Sequence, residues 1–167
     1  MKKMLTRSVL VILFLSQMES AHAAEFEPLG KAAAAALGTT KAFRKTVNVD
    51  KRDVTLFYSK DASGQPEKYA FVEKGIYEPS CTHTWVVGVD AKTNKVSEVR
   101  VVEMSCPHAF PTKAASFLDQ FKGKGPADVA KLSSQISTIA KATGSANLTT
   151  DAVKRSITAA SQMKGKL

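Results

Sequence analysis

The sequence contains only two cysteines, Cys81 and Cys106, and only three histidines among 167 residues. There is no C-x-x-C-H segment, which excludes covalent attachment of a c-type haem, and no C-x-x-C segment, which excludes a thioredoxin-type redox pair. The sequence also shows no Ser-His-Asp set, no paired carboxylates and no His-rich metal motif of a familiar kind. These absences leave the question of an enzymatic activity open.

The chain lacks runs of basic residues interleaved with aromatic residues, although it is basic overall. Lysine and arginine number 24 against 15 acidic residues, and acidic residues interrupt the lysines throughout. Removal of residues 1–23 takes away three basic residues and one acidic residue, which leaves a net charge of +7. We therefore expect no nucleic-acid partner and a solvated basic surface, which suits docking to an acidic partner.

No apolar run in the chain reaches the roughly 20 residues that a membrane-spanning helix needs. The apolar run at 8–15 follows a start with three basic residues, and Ala21-His22-Ala23 then provides the small-x-small pattern of a cleavage site. We predict a signal peptide at 1–23, a mature chain that begins at Ala24, and export to the periplasm. The alternative is an uncleaved N-terminal anchor.

After an N-terminal helix, the sequence pattern predicts a group of strands followed by a group of helices. A helix is expected after Pro28 with a stop at Gly38, because alanine is the best helix former and glycine ends helices. Strands are expected at 43–49, 54–58, 68–74, 83–90 and 95–104, and helical segments at 113–121, 127–132 and 150–163. This order predicts an α+β fold, an antiparallel sheet built of hairpins with an N-terminal helix and C-terminal helices. We divide the mature chain into an N-terminal helical segment, 24–42, and a domain, 43–163.

Strand alternation sets the register of the hairpin formed by 83–90 and 95–104. With Trp85 and Val101 facing the core opposite each other, Cys81 pairs with Ser105, and Cys106 points to the other face. This alternation of side chains between the two faces argues against a disulfide, whereas a bulge near Pro107 would bring the cysteines back into contact.

Three interpretations of the two C-x-H pairs therefore stay open. They are a Cys81–Cys106 disulfide, which an oxidising compartment permits, a Cys₂His₂ metal site that includes His83 and His108, and two unrelated cysteines.

Five phrases, taken in order, resemble the FMN-binding domain family, which occurs in peripheral flavin subunits of sodium-pumping quinone reductases and Rnf complexes and in small exported redox proteins. The likeness extends from about Phe43 to Ala160. The phrases are GIYEP at 75–79, VGVD at 87–90, KVSEVRVVEMS at 95–105, FLDQFKGK at 117–124 and ATGSANLTTDAV at 142–153. The resemblance implies a flavin-site loop followed by a helix that starts near Thr150.

That predicted loop supplies the candidate FMN-binding residues, which are Thr143, Gly144, Ser145, Ala146, Asn147, Leu148, Thr149 and Thr150. Free backbone N–H groups in the loop and the positive end of the following helix suit a phosphate. We expect Thr149 or Thr150 to cap this helix, with Asp151 in its first turn. In the family a loop corresponding to 105–111 lies near the flavin, which implies that Cys106 and His108 touch the cofactor.

The sequence departs from the family at the residue that carries covalent FMN. The family motif reads roughly Asp-x-x-Ser/Thr-Gly-Ala-Thr, and the final threonine is esterified by the FMN phosphate. Here the acceptor position holds Asn147 or Ala146, depending on the alignment, and the aspartate position holds Lys141 or Ala140. Because neither Asn nor Ala has a hydroxyl, we expect any FMN to be bound non-covalently.

The resemblance makes the leading hypothesis an electron carrier that serves a redox partner protein, such as a membrane respiratory complex. The alternatives are a flavin-free accessory or binding module that keeps the fold, and a Cys/His sensor of metals or redox state.

Overall fold

The computed structural model describes residues 24–25, 27–77 and 79–167, with the backbone alone for 24–25. The predicted signal peptide at 1–23 lies outside the described residues, as does Glu78 within the GIYEP phrase. No helix in the described ranges combines the length and the apolar character needed to cross a membrane.

The centre of the fold is an antiparallel sheet in which consecutive strands form hairpins. Its strand order is β1-β6-β5-β4-β3-β2, so only the short β1 departs from a simple meander. The strands are β1 (Ala24–Glu25), β2 (Phe43–Val49), β3 (Arg52–Lys60), β4 (Pro66–Tyr77), β5 (Cys81–Asp90) and β6 (Val96–Met104). Strands, hairpins and α+β class are confirmed, because alternating apolar residues and local turn residues determine them.

One helix precedes the main strands in the chain and the other helices follow them. They are α1 (Leu29–Leu37), α2 (Ala115–Leu118), α3 (Leu132–Gln135) and α4 (Thr143–Ser161), and 3₁₀ segments lie at Pro107–Lys113, Asp119–Phe121 and Pro126–Lys131. The stop after α1 is confirmed, since Gly38 adopts a left-handed φ of 69°. The helix expected at 113–121 is instead the short α2 between two 3₁₀ segments.

Each face of the sheet is covered by a different layer. Small residues of α1, such as Ala32 and Ala36, pack on Ala70, Val86 and Val102 on one face. The opposite face carries the larger core, in which the biggest fully buried side chains include Trp85, Phe71, Phe117, Phe121, Leu56, Met104, Leu132 and Ile157. Because β5 is buried on both faces, its central part, 85–89, contains no polar side chain except the indole N–H of Trp85.

A buried carboxylate fixes α4 against the sheet. The Glu73 side chain on β4 is fully buried and accepts hydrogen bonds from the guanidinium of Arg52 on β3, at 3.0–3.2 Å. It also accepts 2.9 Å and 3.4 Å hydrogen bonds from Arg155 and Ser156 of α4. This cluster ties β3, β4 and the C-terminal half of α4 together and so fixes α4 on this face of the sheet.

Candidate functional site

The register of the β5–β6 hairpin brings the two cysteines together. Trp85 pairs with Val101, as expected, but the register shifts between Thr84 and Trp85 so that His83 pairs with Met104. The extra residue on β6 is a β-bulge at Val102, which places Cys106 opposite Cys81. The pairing of Cys81 with Ser105 that strict alternation predicts is therefore wrong, because the bulge adds one residue to β6.

Cys81 and Cys106 form a disulfide with their Cα atoms 5.4 Å apart, and neither cysteine is free. This outcome selects one of the three interpretations of the C-x-H pairs, since two bonded sulfurs are not thiolate ligands. Within the described part of the chain, no group of three or more His, Cys, Asp or Glu side chains is placed to hold a metal ion.

His83 lies beside the disulfide with its ring orientation fixed. Its Nδ1–H donates to the carbonyl of Cys81 at 3.0 Å, and because a carbonyl oxygen only accepts, the proton lies on Nδ1. Nε2 therefore accepts the hydrogen bond from the Ser145 hydroxyl at 3.0 Å and lies 3.9 Å from Cys81 Sγ. Burial lowers the pKa of His83, and the bond to the Cys81 carbonyl only partly opposes this effect. The ring is thus a neutral acceptor at physiological pH.

The last helix begins at the same place. α4 starts at Thr143, and the N–H of Ala146 makes its first helical bond, to the carbonyl of Ala142 at 2.9 Å. The N–H groups of residues 143–145 precede that bond and have no helical acceptor, so they present the positive end of the helix dipole. Lys141, exposed and in the left-handed region with φ 66°, adds a positive charge just before the helix.

The start expected for this helix, at Thr150, is wrong. Thr149 and Thr150 do not cap the helix: each donates its hydroxyl to the carbonyl four residues earlier, at 2.9 Å, inside the second and third turns of α4. Asp151 likewise lies in the interior of α4 and not in its first turn. The full burial of Ala146 in the core stabilises as helix a segment whose sequence alone favours a loop, and the helix carbonyls satisfy the two buried threonine hydroxyls.

These elements enclose a pocket of about 160 Å³, which we call the α4 pocket. Its lining residues are Tyr77, Cys81, Cys106, His108, Ala109, Lys141, Ala142, Gly144 and Ser145. The Tyr77 ring lies so close to Gly144 that a Cβ there would collide with it, which explains a glycine in the first turn of a helix. Tyr77 itself is 55% exposed and forms an edge of the pocket.

Of the eight residues expected to bind FMN, the structure places Gly144 and Ser145 in the lining of this pocket. Thr143 is exposed at the helix start, Asn147 is exposed on α4 and Leu148 is half-buried. The other three, Ala146, Thr149 and Thr150, are buried in the core.

Cys106 and His108, expected near a flavin, line the same pocket. Sequence reasoning did not assign Tyr77, His83 or Lys141 to this site. The phrase at 75–79 indicates only the family resemblance, and the 62 residues that separate His83 from Ser145 leave no local signal for their contact.

Comparisons with known proteins found no matching family model, and no curated protein or solved structure similar to this chain.

Proposed function

We propose that this protein is an exported electron carrier that binds FMN non-covalently at the α4 pocket. The observation that carries the proposal is the position of the α4 N-terminus. It opens into a pocket beside an aromatic ring and a lysine, within the segment that resembles the flavin site of the FMN-binding domain family. Backbone N–H groups at a helix N-terminus are a common anchor for phosphate.

The residues fit the phosphate end of FMN. The N–H groups of Thr143 and Gly144 and the ammonium of Lys141 supply donors and positive charge, and no carboxylate lines the described part of the pocket. An enclosed volume of about 160 Å³ is smaller than the roughly 300 Å³ or more of typical cofactor pockets. The pocket therefore suits the phosphate group, while the exposed ring of Tyr77 offers a stacking surface for the flavin ring.

The residues do not fit a covalent attachment. Ala146, one of the two positions that align with the family's acceptor, is fully buried and has no hydroxyl. The other, Asn147, is exposed on α4 and carries an amide. Non-covalent binding follows from both positions.

FMN supplies electron transfer when bound, and the protein's part is to anchor and orient the cofactor. Lys141 and the α4 N-terminus neutralise the phosphate charge, Tyr77 packs against the ring, and the disulfide together with the His83–Ser145 bond keeps the pocket walls fixed. The basic surface favours an acidic redox partner, for which we propose a membrane respiratory complex. The disulfide supports export, because such bonds persist in oxidising compartments.

The test is retention of FMN by the purified exported protein. We expect protein incubated with FMN and desalted to be yellow and to release FMN on acid precipitation, and the Lys141→Gln variant to retain less. Lys131→Gln, which removes an exposed lysine of a 3₁₀ segment away from the pocket lining, is the matched control and should retain FMN as the parent does. Colourless protein that retains no FMN contradicts the proposal and favours the flavin-free module.

A further inference from the structure

We propose that the Cys81–Cys106 disulfide is redox-active and exchanges with external thiols, with Cys106 as the sulfur that reacts with the partner thiol and Cys81 as the resolving sulfur. His83 acts as the base for Cys81. This proposal is independent of flavin binding, because it uses only protein groups and a thiol or disulfide from outside.

The two cysteines are unequally exposed. Cys106 is half-buried, in the turn that follows β6, whereas Cys81 is only 9% exposed on β5. Because thiol–disulfide exchange requires an approach to one sulfur, an external thiolate reaches Cys106 before Cys81. The disulfide thus has one outer and one inner sulfur.

An imidazole lies beside the sulfur of Cys81. His83 Nε2 carries a lone pair and lies 3.9 Å from Cys81 Sγ, within reach of a thiol proton on the reduced cysteine. Nδ1–H is held by the carbonyl of Cys81, so the tautomer that leaves Nε2 unprotonated is maintained. Burial lowers the pKa of His83, which keeps the ring available as a base at neutral pH.

Hydrogen bonds also hold the two cysteine-bearing segments together, independently of the disulfide. The Thr82 N–H donates to Ser105 Oγ at 2.7 Å, and the Ser105 N–H donates to the Thr82 carbonyl at 3.0 Å. Ser105 Oγ also donates to the carbonyl of Ser80 at 3.1 Å. The reduced thiols therefore stay close to each other, as a reversible pair requires.

The oxidative half-reaction balances with glutathione disulfide as the oxidant. The Cys106 thiolate attacks one glutathione sulfur, forms a mixed disulfide and releases a glutathione thiolate. The Cys81 thiol gives its proton to His83 Nε2, and the resulting thiolate attacks Cys106 Sγ. The Cys81–Cys106 bond forms, the second glutathione leaves as thiolate, and the imidazolium returns its proton to it. Two cysteine thiols are oxidised and one glutathione disulfide is reduced.

The groups that face this reaction come from three parts of the chain. Ser145 of α4 donates to the same Nε2, Trp85 stacks on the His83 ring with centroids 5.2 Å apart, and His108, Lys141 and Tyr77 line the pocket beside the disulfide. Of these groups His83 lies in contact with Cys81 Sγ, so the difference in pH profile between the parent and His83→Gln measures its part in closure.

The test follows disulfide closure in the full exported protein after reduction with dithiothreitol and removal of the reductant. Glutathione disulfide is added at pH values from 6 to 9, and free thiols are trapped by alkylation and counted by mass. We expect rapid closure in the parent and about 100-fold slower closure in His83→Gln, with a changed pH profile, as the loss of a general base predicts. Lys131→Gln, at an exposed lysine away from the pocket lining, is the control and should close at the parent rate.

Three further variants keep the proposal falsifiable if His83→Gln does not fold. Cys81→Ser should accumulate the mixed disulfide at Cys106, whereas Cys106→Ser should react with glutathione disulfide much more slowly. Ser145→Ala, which frees Nε2, should speed closure. A disulfide that resists dithiothreitol in the folded protein, equal reactivity of the two single-cysteine variants, or an unchanged rate in folded His83→Gln would overturn the proposal.

Discussion

The Ser145 hydroxyl on α4 donates a 3.0 Å hydrogen bond to Nε2 of His83 on β5, and both side chains are buried, at 6% and 1% exposure. This bond joins the first turn of the last helix to the strand that carries Cys81. The helix N-terminus, the histidine and the disulfide are therefore in direct contact, and a change in any one of them alters the pocket.

Replacing Ser145 with alanine removes the donor to His83 and leaves a buried nitrogen without its partner. We expect the free energy of unfolding to fall by about 1–3 kcal/mol, the cost of an unsatisfied buried polar group. Urea denaturation measures the change. Ser161→Ala, at the exposed end of the same helix, is the control and should stay within about 0.5 kcal/mol of the parent. An equal decrease in the free energy of unfolding in the two variants would show that the buried Ser145–His83 hydrogen bond does not stabilise the fold.

The pH dependence of stability follows from His83. Burial lowers its pKa below the ordinary value of 6.5, so the unfolded chain binds a proton that the folded chain does not. The stability that depends on His83 remaining neutral is therefore fully present above pH 6.5. It decreases as the pH falls through 6.5 toward the pKa of His83 in the folded protein. The slope reaches at most about 1.4 kcal/mol per pH unit for one proton.

Urea denaturation between pH 5 and 8 checks this prediction. The part of the slope that His83 causes should disappear in His83→Gln and persist in His108→Gln. If His83→Gln and the parent have the same slope below pH 6.5, the decrease has another origin.

Glu73 should contribute more to stability than any exposed carboxylate of the sheet. Glu73→Gln removes a buried charge that two arginines and a serine share, and we expect a loss of about 3 kcal/mol, at the lower end for breaking a buried ion pair because both arginines reach solvent. Glu67→Gln, the same change at an exposed site on the same strand, should cost less than about 0.5 kcal/mol. Thermal or urea unfolding compares the two, and a similar small cost for both would contradict the role assigned to the cluster.

Flavin should not become covalently attached, even when a flavin transferase is co-expressed. Neither Asn147 nor Ala146 can form a phosphoester, and three of the other hydroxyls of the segment are engaged, whereas Thr143 is exposed at the helix start but does not align with the acceptor position. Thr149 and Thr150 bond to helix carbonyls, and Ser145 bonds to His83. Denaturing electrophoresis viewed for flavin fluorescence should show no band. A fluorescent band would mean that another hydroxyl serves as the acceptor.

The hairpins could be predicted because their signals are local. Side chains alternate between the two faces of the sheet in β5 and β6, and the turn at 90–95, with Asn94 at φ 53°, lies between these two strands. The bulge at Val102 has no such local signal, since it depends on how β6 fits between β5 and β1. A register shift of one residue determines whether Cys81 lies opposite Ser105 or Cys106.

The start of α4 was misjudged for a related reason. The segment from Thr143 to Thr150 is rich in small polar residues, which favour turns and caps when they are considered alone. Tertiary contacts override this preference, because Ala146 packs in the core and Ser145 bonds to a histidine from a distant strand. The pocket itself combines residues from β4, β5, the 3₁₀ segment after β6 and α4, and no local pattern shows that combination.

The most direct test of the account compares FMN with riboflavin, which lacks the phosphate, in fluorescence titrations of the purified protein. Anchoring of the phosphate by the α4 N-terminus and Lys141 predicts that FMN binds about 10- to 100-fold more tightly than riboflavin, the ratio expected from charge-assisted hydrogen bonds. The same anchoring predicts that Lys141→Gln reduces the ratio of FMN affinity to riboflavin affinity, whereas Lys131→Gln leaves this ratio unchanged. Equal affinities for the two flavins, or no binding of either, would contradict a phosphate-anchored flavin at this pocket.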